Sequence, residues 1–311
     1  MSRDSRTLGL TSNPIVAKWG RGESAFTYET RRLIEAGREI YGRVSLINPH
    51  LLSVELPKGD NAPRIFHEGN PLPEIESLII RSTRMLGDGL SALIRCLSLQ
   101  GCDILDPAGR HGRGRGSKLS TSIKRFQRGV GSTTFMAFSR SAALALVKRL
   151  SDVDEFPLVG KPIAGKGGKG VTRLDSPEEL LAYVKNFYGR KKKASLLLQP
   201  FEKFVNEFRV VVFFGQPLGI ARKILAEGAV AANAAQGGVF VAADRADIVK
   251  FAVENVDSIG ILGVDVGETD DGELRIIEAN RAPQWQAFDN ALNCDTARRI
   301  VTLARERLDS K

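Results

Sequence analysis

Cysteine, histidine and aromatic residues are all scarce in this chain. Three cysteines, Cys96, Cys102 and Cys294, are odd in number and widely spaced, and build neither a disulfide framework nor a zinc knuckle. Three histidines, His50, His67 and His111, leave little room for a histidine-rich metal centre or a histidine-driven hydrolase. Phe, Trp and Tyr make up 7% of the residues, so the aromatic–basic interleaving that stacks nucleic-acid bases is sparse. No apolar run approaches the roughly 18 residues of a membrane helix. The opening Met1-Ser2-Arg3-Asp4-Ser5-Arg6 is polar and lacks the apolar core of a signal peptide. The expectation is a cytoplasmic protein without a membrane partner.

What is present is an ordinary globular composition with a basic excess. Hydrophobic residues are 42% and charged residues 26% of 311, enough chain for about two domains or three small ones. Lys and Arg number 45 against 36 Asp and Glu, a net charge of +9 that favours polyanionic ligands without choosing among them. Any chemistry therefore rests on Lys, Arg, carboxylates and glycine backbone.

The first hundred residues alternate strand and helix. Ile15-Val16-Ala17 reads as a weak strand, Phe26 to Ile40 as a helix, Val44 to Ile47 and Ser77 to Arg81 as strands, and Leu90 to Leu99 as a helix. This order predicts a small α/β domain with a largely parallel sheet over 1–106. Residues 107 to 130, rich in Gly and Arg and without an acidic residue, read as a mobile linker at a domain boundary. A central unit over 107–195 follows, with a helix at Arg140 to Leu150, a strand over Phe156 to Lys161 and a helix opened by the capping pattern Ser176-Pro177-Glu178-Glu179. From 196 to 311 the pattern is strand-rich, with a hairpin turn at Gly215-Gln216 and a closing amphipathic helix from Asp295 to Leu308.

Three constellations carry chemistry. The first is Lys161 at a strand end, followed by a loop containing Gly165, Gly167, Gly168 and Gly170. Such glycines let backbone N–H groups approach phosphate oxygens while lysines neutralise them, although a flexible surface turn has the same composition. The second is Leu198-Gln199-Pro200-Phe201, followed by Glu207-Phe208-Arg209. A strand edge there suits a base, a carboxylate suits ribose hydroxyls and an arginine suits a phosphate; an ordinary edge strand with solvated charges is the alternative. The third is Gly263-Val264-Asp265 and Glu278-Ala279-Asn280, joined through Asp270-Asp271-Gly272. Glu278 and Asn280 share a strand face, a hairpin brings Asp265 beside them, and two carboxylates with an amide oxygen form a hard donor set suited to Mg²⁺.

In this order the residues resemble the ATP-grasp superfamily, and within it the RimK-type carboxylate–amine ligases. Also similar are Arg222, the Asn233-Ala-Ala-Gln236-Gly-Gly238 run, and Arg281-Ala-Pro283 after Asn280. The resemblance spans Lys118 to the C-terminus, with a weaker likeness before it. It implies an α/β (α+β) ATP-grasp fold behind a small N-terminal α/β pre-ATP-grasp domain. It further implies that Lys118 and Lys161 contact the ATP phosphates, with Gly167 and Gly168 in a lid above them. Residues Gln199, Pro200 and Phe201 would line adenine through backbone groups, and Glu207 would hold the ribose. Arg222 and Asn233 would reach the phosphates or an acyl phosphate, with Arg209 and Arg222 stabilising the developing oxyanion. Asp265, Glu278 and Asn280 would bind two Mg²⁺ ions, Glu278 bridging, with Mn²⁺ as an alternative ion.

The implied reaction joins a carboxylate donor to an amine acceptor at the expense of ATP, in an assembly that can be a homo-oligomer. An acidic amino acid, a peptide or a protein fits the donor, and the arginines between Arg110 and Arg128 could collect it; a solubilising loop is the other reading. Two departures from the family, Gln236 for arginine and Gln284-Trp285 after Pro283, fall in the substrate region. A catalytically silent ATP-grasp scaffold is the alternative, and a nucleic-acid binder is the least favoured.

Overall fold

Strands β1 (Arg6–Thr11), β2 (Gly42–Ile47), β6 (Ser77–Ile80) and β7 (Asp103–Ile104) form one parallel sheet in the order β2-β1-β6-β7. Parallel neighbours need long crossovers, and α1 (Tyr28–Tyr41) and α2 (Gly87–Leu99) supply two of them. The computed structural model describes residues 6–11, 26–58, 62–81, 87–106, 118–151, 155–163, 171–190, 194–224, 239–257 and 259–311. Leu8 and Leu10 are fully buried, as a central parallel strand covered on both faces requires. This strand lies earlier than the one expected at Ile15–Ala17, which falls outside the described residues. Three short strands, β3 (Leu52–Glu55), β4 (Arg64–His67) and β5 (Asn70–Pro71), add an antiparallel flap.

The central unit comprises α3 (Lys118–Gln127), β8 (Phe135–Ala137), α4 (Arg140–Ser151), β9 (Leu158–Pro162), β10 (Thr172–Leu174), α5 (Pro177–Arg190) and β11 (Leu196–Pro200). Its sheet runs β10-β9-β11-β8 and is antiparallel throughout. Leu146, Leu150, Leu180 and Val184 of the two long helices pack on Leu158, Leu196 and Leu198. The Ser176 hydroxyl accepts from Glu179 N at 3.3 Å and the Glu179 carboxylate accepts from Asp175 N at 2.8 Å, which fixes the start of α5.

Two expectations change here. Residues 118–127 are helical where a linker was expected; no glycine lies between Lys118 and Gln127, so the run that breaks structure ends before them. β11, expected in the C-terminal unit, hydrogen-bonds to β8 and β9 instead, so that unit starts after Pro200.

The C-terminal unit is a five-stranded antiparallel sheet, β14-β13-β12-β15-β16, built from β12 (Asn206–Phe213), β13 (Gln216–Ile224), β14 (Val239–Ala242), β15 (Ile261–Glu268) and β16 (Leu274–Asn280). The β12–β13 turn sits at Phe214-Gly215, one residue earlier than expected, with φ of 46° and 81°. Both residues are left-handed, the geometry that matches the twist of a tight hairpin. One face of the sheet packs Val210, Val212, Ile220 and Val264 under α6 (Ala246–Glu254). On the other face Val211, Phe213 and Ile261 join α7 (Gln286–Leu292), α8 (Thr296–Asp309) and α1 in a core shared with the N-terminal domain. Among the described residues no helix is long and apolar enough to cross a membrane.

Candidate active site

Along β12 the face that carries Val211 and Phe213 changes character. Two residues earlier on the same face stands Arg209, and two before that Glu207. Directly opposed residues of antiparallel strands project to the same side. Arg209 opposes Asp265, Asp265 opposes Glu278, Glu207 opposes Lys223, and Gly263 opposes Asn280. Four strands thus place Glu207, Arg209, Lys223, Asp265, Glu278 and Asn280 on one surface.

Asp265 is only 4% exposed. Its carboxylate accepts from Arg209 Nε and Nη2, the latter at 3.0 Å, and Lys223 Nζ lies 2.9 Å from Oδ2. Burial alone raises such a carboxyl; Arg209 and Lys223 outweigh it and hold Asp265 below the usual carboxylate range. Glu207 lies 3.9 Å from Lys223, and burial pushes its carboxyl up against that cation. Glu278 and Asn280, by contrast, have no hydrogen bond or ion pair among the described residues. Their oxygens and the second lone pairs of Asp265 form a hard donor set on one face. Among the described residues no three Asp, Glu, His or Cys side chains converge, so a Mg²⁺ ion held here would complete its shell with phosphate and water oxygens. The donors fit such an ion.

The backbone turns Glu278 inward by a bulge. Asp265 pairs with Glu278 but Val266 pairs with Ile276, which leaves Ile277 outside the ladder. Its carbonyl accepts instead from Arg125 Nη1 of α3 at 2.9 Å. Gly263 makes room beside the site, since a Cβ there would lie 2.6 Å from Pro283 and 3.2 Å from Arg209 Nη1.

The central unit contributes the lysines. Lys118 Nζ donates to Pro162 O at 3.2 Å, and Lys161 Nζ donates to Gln199 Oε1 at 2.8 Å. Gln199 is anchored in turn on Thr134 Oγ1 at 2.8 Å, so its side chain orients Lys161. Past Leu198, β11 loses its β8 partner and retains β9. The Phe201 N–H is given to Pro157 O at 2.8 Å, and its ring stacks under Arg173 at 4.4 Å.

Burial, with the charges of Lys118 and then Arg125, pulls the Lys161 ammonium down to about 8; Glu278 and Glu202 oppose the shift. A polyanion needs the charged form. Nucleotide affinity is therefore expected to be full below pH 8 and to weaken above it, by up to about tenfold per pH unit for one proton. Titrating binding from pH 6.5 to 9.5 checks this, and Lys161→Arg is expected to flatten the profile.

Of the expected residues, Arg222 lies elsewhere. It opposes Phe208 and Val241, on the face opposite Arg209, and lines a shallow groove of about 260 Å³ with Arg245. Its neighbour Lys223 occupies the inward position. Gly167, Gly168 and Asn233 lie outside the described residues. Sequence reading missed Lys223 and Arg125. Strand parity says that only one of Arg222 and Lys223 can face the site, and the irregular pairing of β12 with β13 makes it Lys223. For Arg125 the signal is the helical spacing i, i+7 from Lys118.

The N-terminal domain grips the loop beyond Asn280. Arg81 Nη2 donates to Pro283 O at 3.1 Å, Arg81 stacks over the Trp285 ring at 4.7 Å, and Trp285 N donates to Glu29 Oε1 at 3.1 Å. Trp285 is fully buried, so the departure from the expected pattern at this position is a core anchor.

Paired lysines at a strand end, with the charge of Glu278 felt at both, stand near a sheet face that carries carboxylate and amide oxygens. A RimK-like ATP-grasp domain matches residues 127–304, more than half of the chain. The chain belongs to the RimK-like ATP-grasp family. This RimK-like protein is an ATP-grasp ligase of the carboxylate–amine type. It is 24% identical over 286 residues to a protein of Marinomonas sp. (strain MWYL1) named "Probable alpha-L-glutamate ligase", covering 88% of this chain and 90% of the relative. Among solved structures it is similar to the ATP-grasp ligase PsnB in complex with a phosphomimetic minimal precursor, Mg and ADP. There the TM-score is 0.72 at 14% identity, covering 98% and 99% of the two chains. The D-cycloserine synthetase DcsG gives a TM-score of 0.65 at 16% identity over 97% and 99%. At these identities the two structures establish a shared fold.

Proposed function

We propose that this ligase joins a carboxylate to an amine through an acyl phosphate, and that its substrates are an acidic amino acid and a peptide or protein. The observation that carries the reading is the placing of Lys118 and Lys161 at the end of β9 within reach of the charge of Glu278, whose side chain, like that of Asn280, has no hydrogen bond or ion pair among the described residues. The Marinomonas relative carries the name "Probable alpha-L-glutamate ligase" and PsnB is complexed with a precursor peptide, which supports this substrate class.

In this reading Lys118 and Lys161 hold the ATP phosphates, and Gln199 aims Lys161. Residues 199 to 201 line the base, through the backbone edge that β8 leaves open and with the Phe201 N–H withdrawn to Pro157. Glu207 takes the ribose hydroxyls. Asp265, Glu278 and Asn280 would hold Mg²⁺, with Mn²⁺ as an alternative ion. Bound there, the ions neutralise the triphosphate and polarise its terminal phosphoryl group. Arg209 and Lys223 keep Asp265 ionised and in place. The roles that the family resemblance implies for Gly167, Gly168 and Asn233 fall outside the described residues; Arg222 does not belong to the site.

A substrate carboxylate oxygen attacks the terminal phosphorus, the bond to the bridging oxygen breaks, and ADP leaves. The amine attacks the acyl carbon, the C–O bond to phosphate breaks, and the amine gives up a proton as the amide forms. Catalysis is positioning and charge neutralisation, with no nucleophilic side chain.

Phosphate release from Mg-ATP, measured against paired acidic amino acids, peptides and amines, tests the reading. Release is expected only when both a carboxylate and an amine are supplied. Nucleotide binding without release for any pair would favour a silent scaffold.

A further inference from the structure

We propose that Arg125 contacts the terminal phosphoryl group of the nucleotide, as an additional phosphate ligand reaching across the cleft from α3. The inference rests on the nucleotide site proposed above. Arg125 lies outside the residues matched by the family domain, which begin at 127.

Four observations support it. Lys118 and Arg125 are seven residues apart, two turns of α3, and so lie on one stripe of the helix. Lys118 sits at the end of β9 beside Lys161, and the charge of Arg125 is felt at Lys161. On the opposite side, Arg125 Nη1 donates to Ile277 O, the carbonyl that the bulge next to Glu278 releases from the ladder. The guanidinium therefore bridges the lysine pair and the metal-binding strand, the interval a terminal phosphoryl group must occupy between them.

The fourth observation concerns its donors. Among the described residues the hydrogen bond to Ile277 is the one that the Arg125 side chain makes, and its acceptor is neutral. Burial pulls the guanidinium down, while Glu278 and then Asp265 oppose the shift without hydrogen-bonding to it. Arginine withdrawn from water is stable when an anion takes its remaining N–H groups. Its planar fork suits two oxygens of one phosphoryl group, which a lysine cannot match. The bond to Ile277 ties the guanidinium to the bulge beside Glu278, so Arg125 would register the terminal phosphoryl against Glu278.

Mg-ADP and non-hydrolysable Mg-AMPPNP, compared by titration calorimetry, separate this role from a structural one, because only the second carries the third, γ-phosphoryl group. Arg125→Met is expected to weaken Mg-AMPPNP roughly ten- to a hundredfold, the value of a hydrogen-bonded charge. Mg-ADP is expected to change less than about twofold. Arg125→Lys, which keeps the charge and loses the fork, is expected to fall between wild type and Arg125→Met, and reports on the role if the methionine variant does not fold. Equal loss for both nucleotides would make Arg125 a strut for β16, and no loss for either would remove it from the site; both outcomes overturn the proposal. Failure of the wild-type chain to bind either nucleotide would instead refute the site itself.

Discussion

Replacing Glu278 by glutamine is expected to lower Mg-dependent phosphate release roughly 10²- to 10³-fold, the usual cost of removing one preorganised electrostatic group at a reacting centre. Stability should change little. Glu278 makes no hydrogen bond or ion pair among the described residues, so glutamine leaves no protein group orphaned, and the two side chains have nearly the same shape. Steady-state phosphate release at saturating Mg-ATP, with urea unfolding as the control, checks both halves. An active Glu278→Gln enzyme would show that the open oxygens on β16 do not serve the reaction.

The neighbouring carboxylate should behave in the opposite way. Arg209→Met leaves Asp265 in a buried site with Lys223 alone, and breaking a buried pair from one side typically costs about 3–5 kcal/mol. Asp265 is held low by Arg209 and Lys223 against its own burial. The stability it contributes is therefore present above the ordinary carboxylate range and is lost as pH falls through its lowered value. In Arg209→Met the lost partner lets burial raise the carboxyl, so the deficit relative to wild type should narrow as the buffer is acidified. Adding Asp265→Asn to Arg209→Met should recover part of the loss, and the coupling is read from a double-mutant cycle of urea unfolding at pH 7 and pH 4. Additive effects, with no dependence on pH, would mean that the pair does not hold the sheet.

Parity made much of the site legible. Alternation along β16 put Glu278 and Asn280 on one face, and a hairpin brought Asp265 near them, but the bulge at Ile277 is what sets Glu278 opposite Asp265. The same rule could not say which of Arg222 and Lys223 faces inward. That choice depends on the irregular pairing between Val211 and Val212, which shifts the register of β13 near Gly219 and leaves no mark in hydrophobic pattern alone. Arg125 was hidden for a different reason. Within a basic, glycine-rich run its charge reads as solvation, and only the helix beginning at Lys118 converts it into a residue facing β16.

The fold shows a similar division. Strands β2 and β6 and the closing helix follow from local pattern, while the central strand β1 was not expected at Arg6–Thr11, and the membership of β11 follows from hydrogen bonds to β8 and β9, segments about 35 to 60 residues earlier in sequence. Trp285 illustrates the limit. In sequence it is a departure in the substrate region; in three dimensions it is a buried anchor held by Glu29 and stacked on Arg81, so the N-terminal domain fixes the loop that carries Pro283.

The central claim is that a carboxylate oxygen becomes part of the released phosphate. The most direct measurement supplies Mg-ATP, an amine and a carboxylate donor labelled with ¹⁸O, and analyses the liberated phosphate by mass spectrometry. An acyl-phosphate ligase transfers a single labelled oxygen to each phosphate as the amide forms. Unlabelled phosphate accompanying amide formation would contradict that route, and unlabelled phosphate without an amide would mean that water, rather than a carboxylate, receives the phosphoryl group.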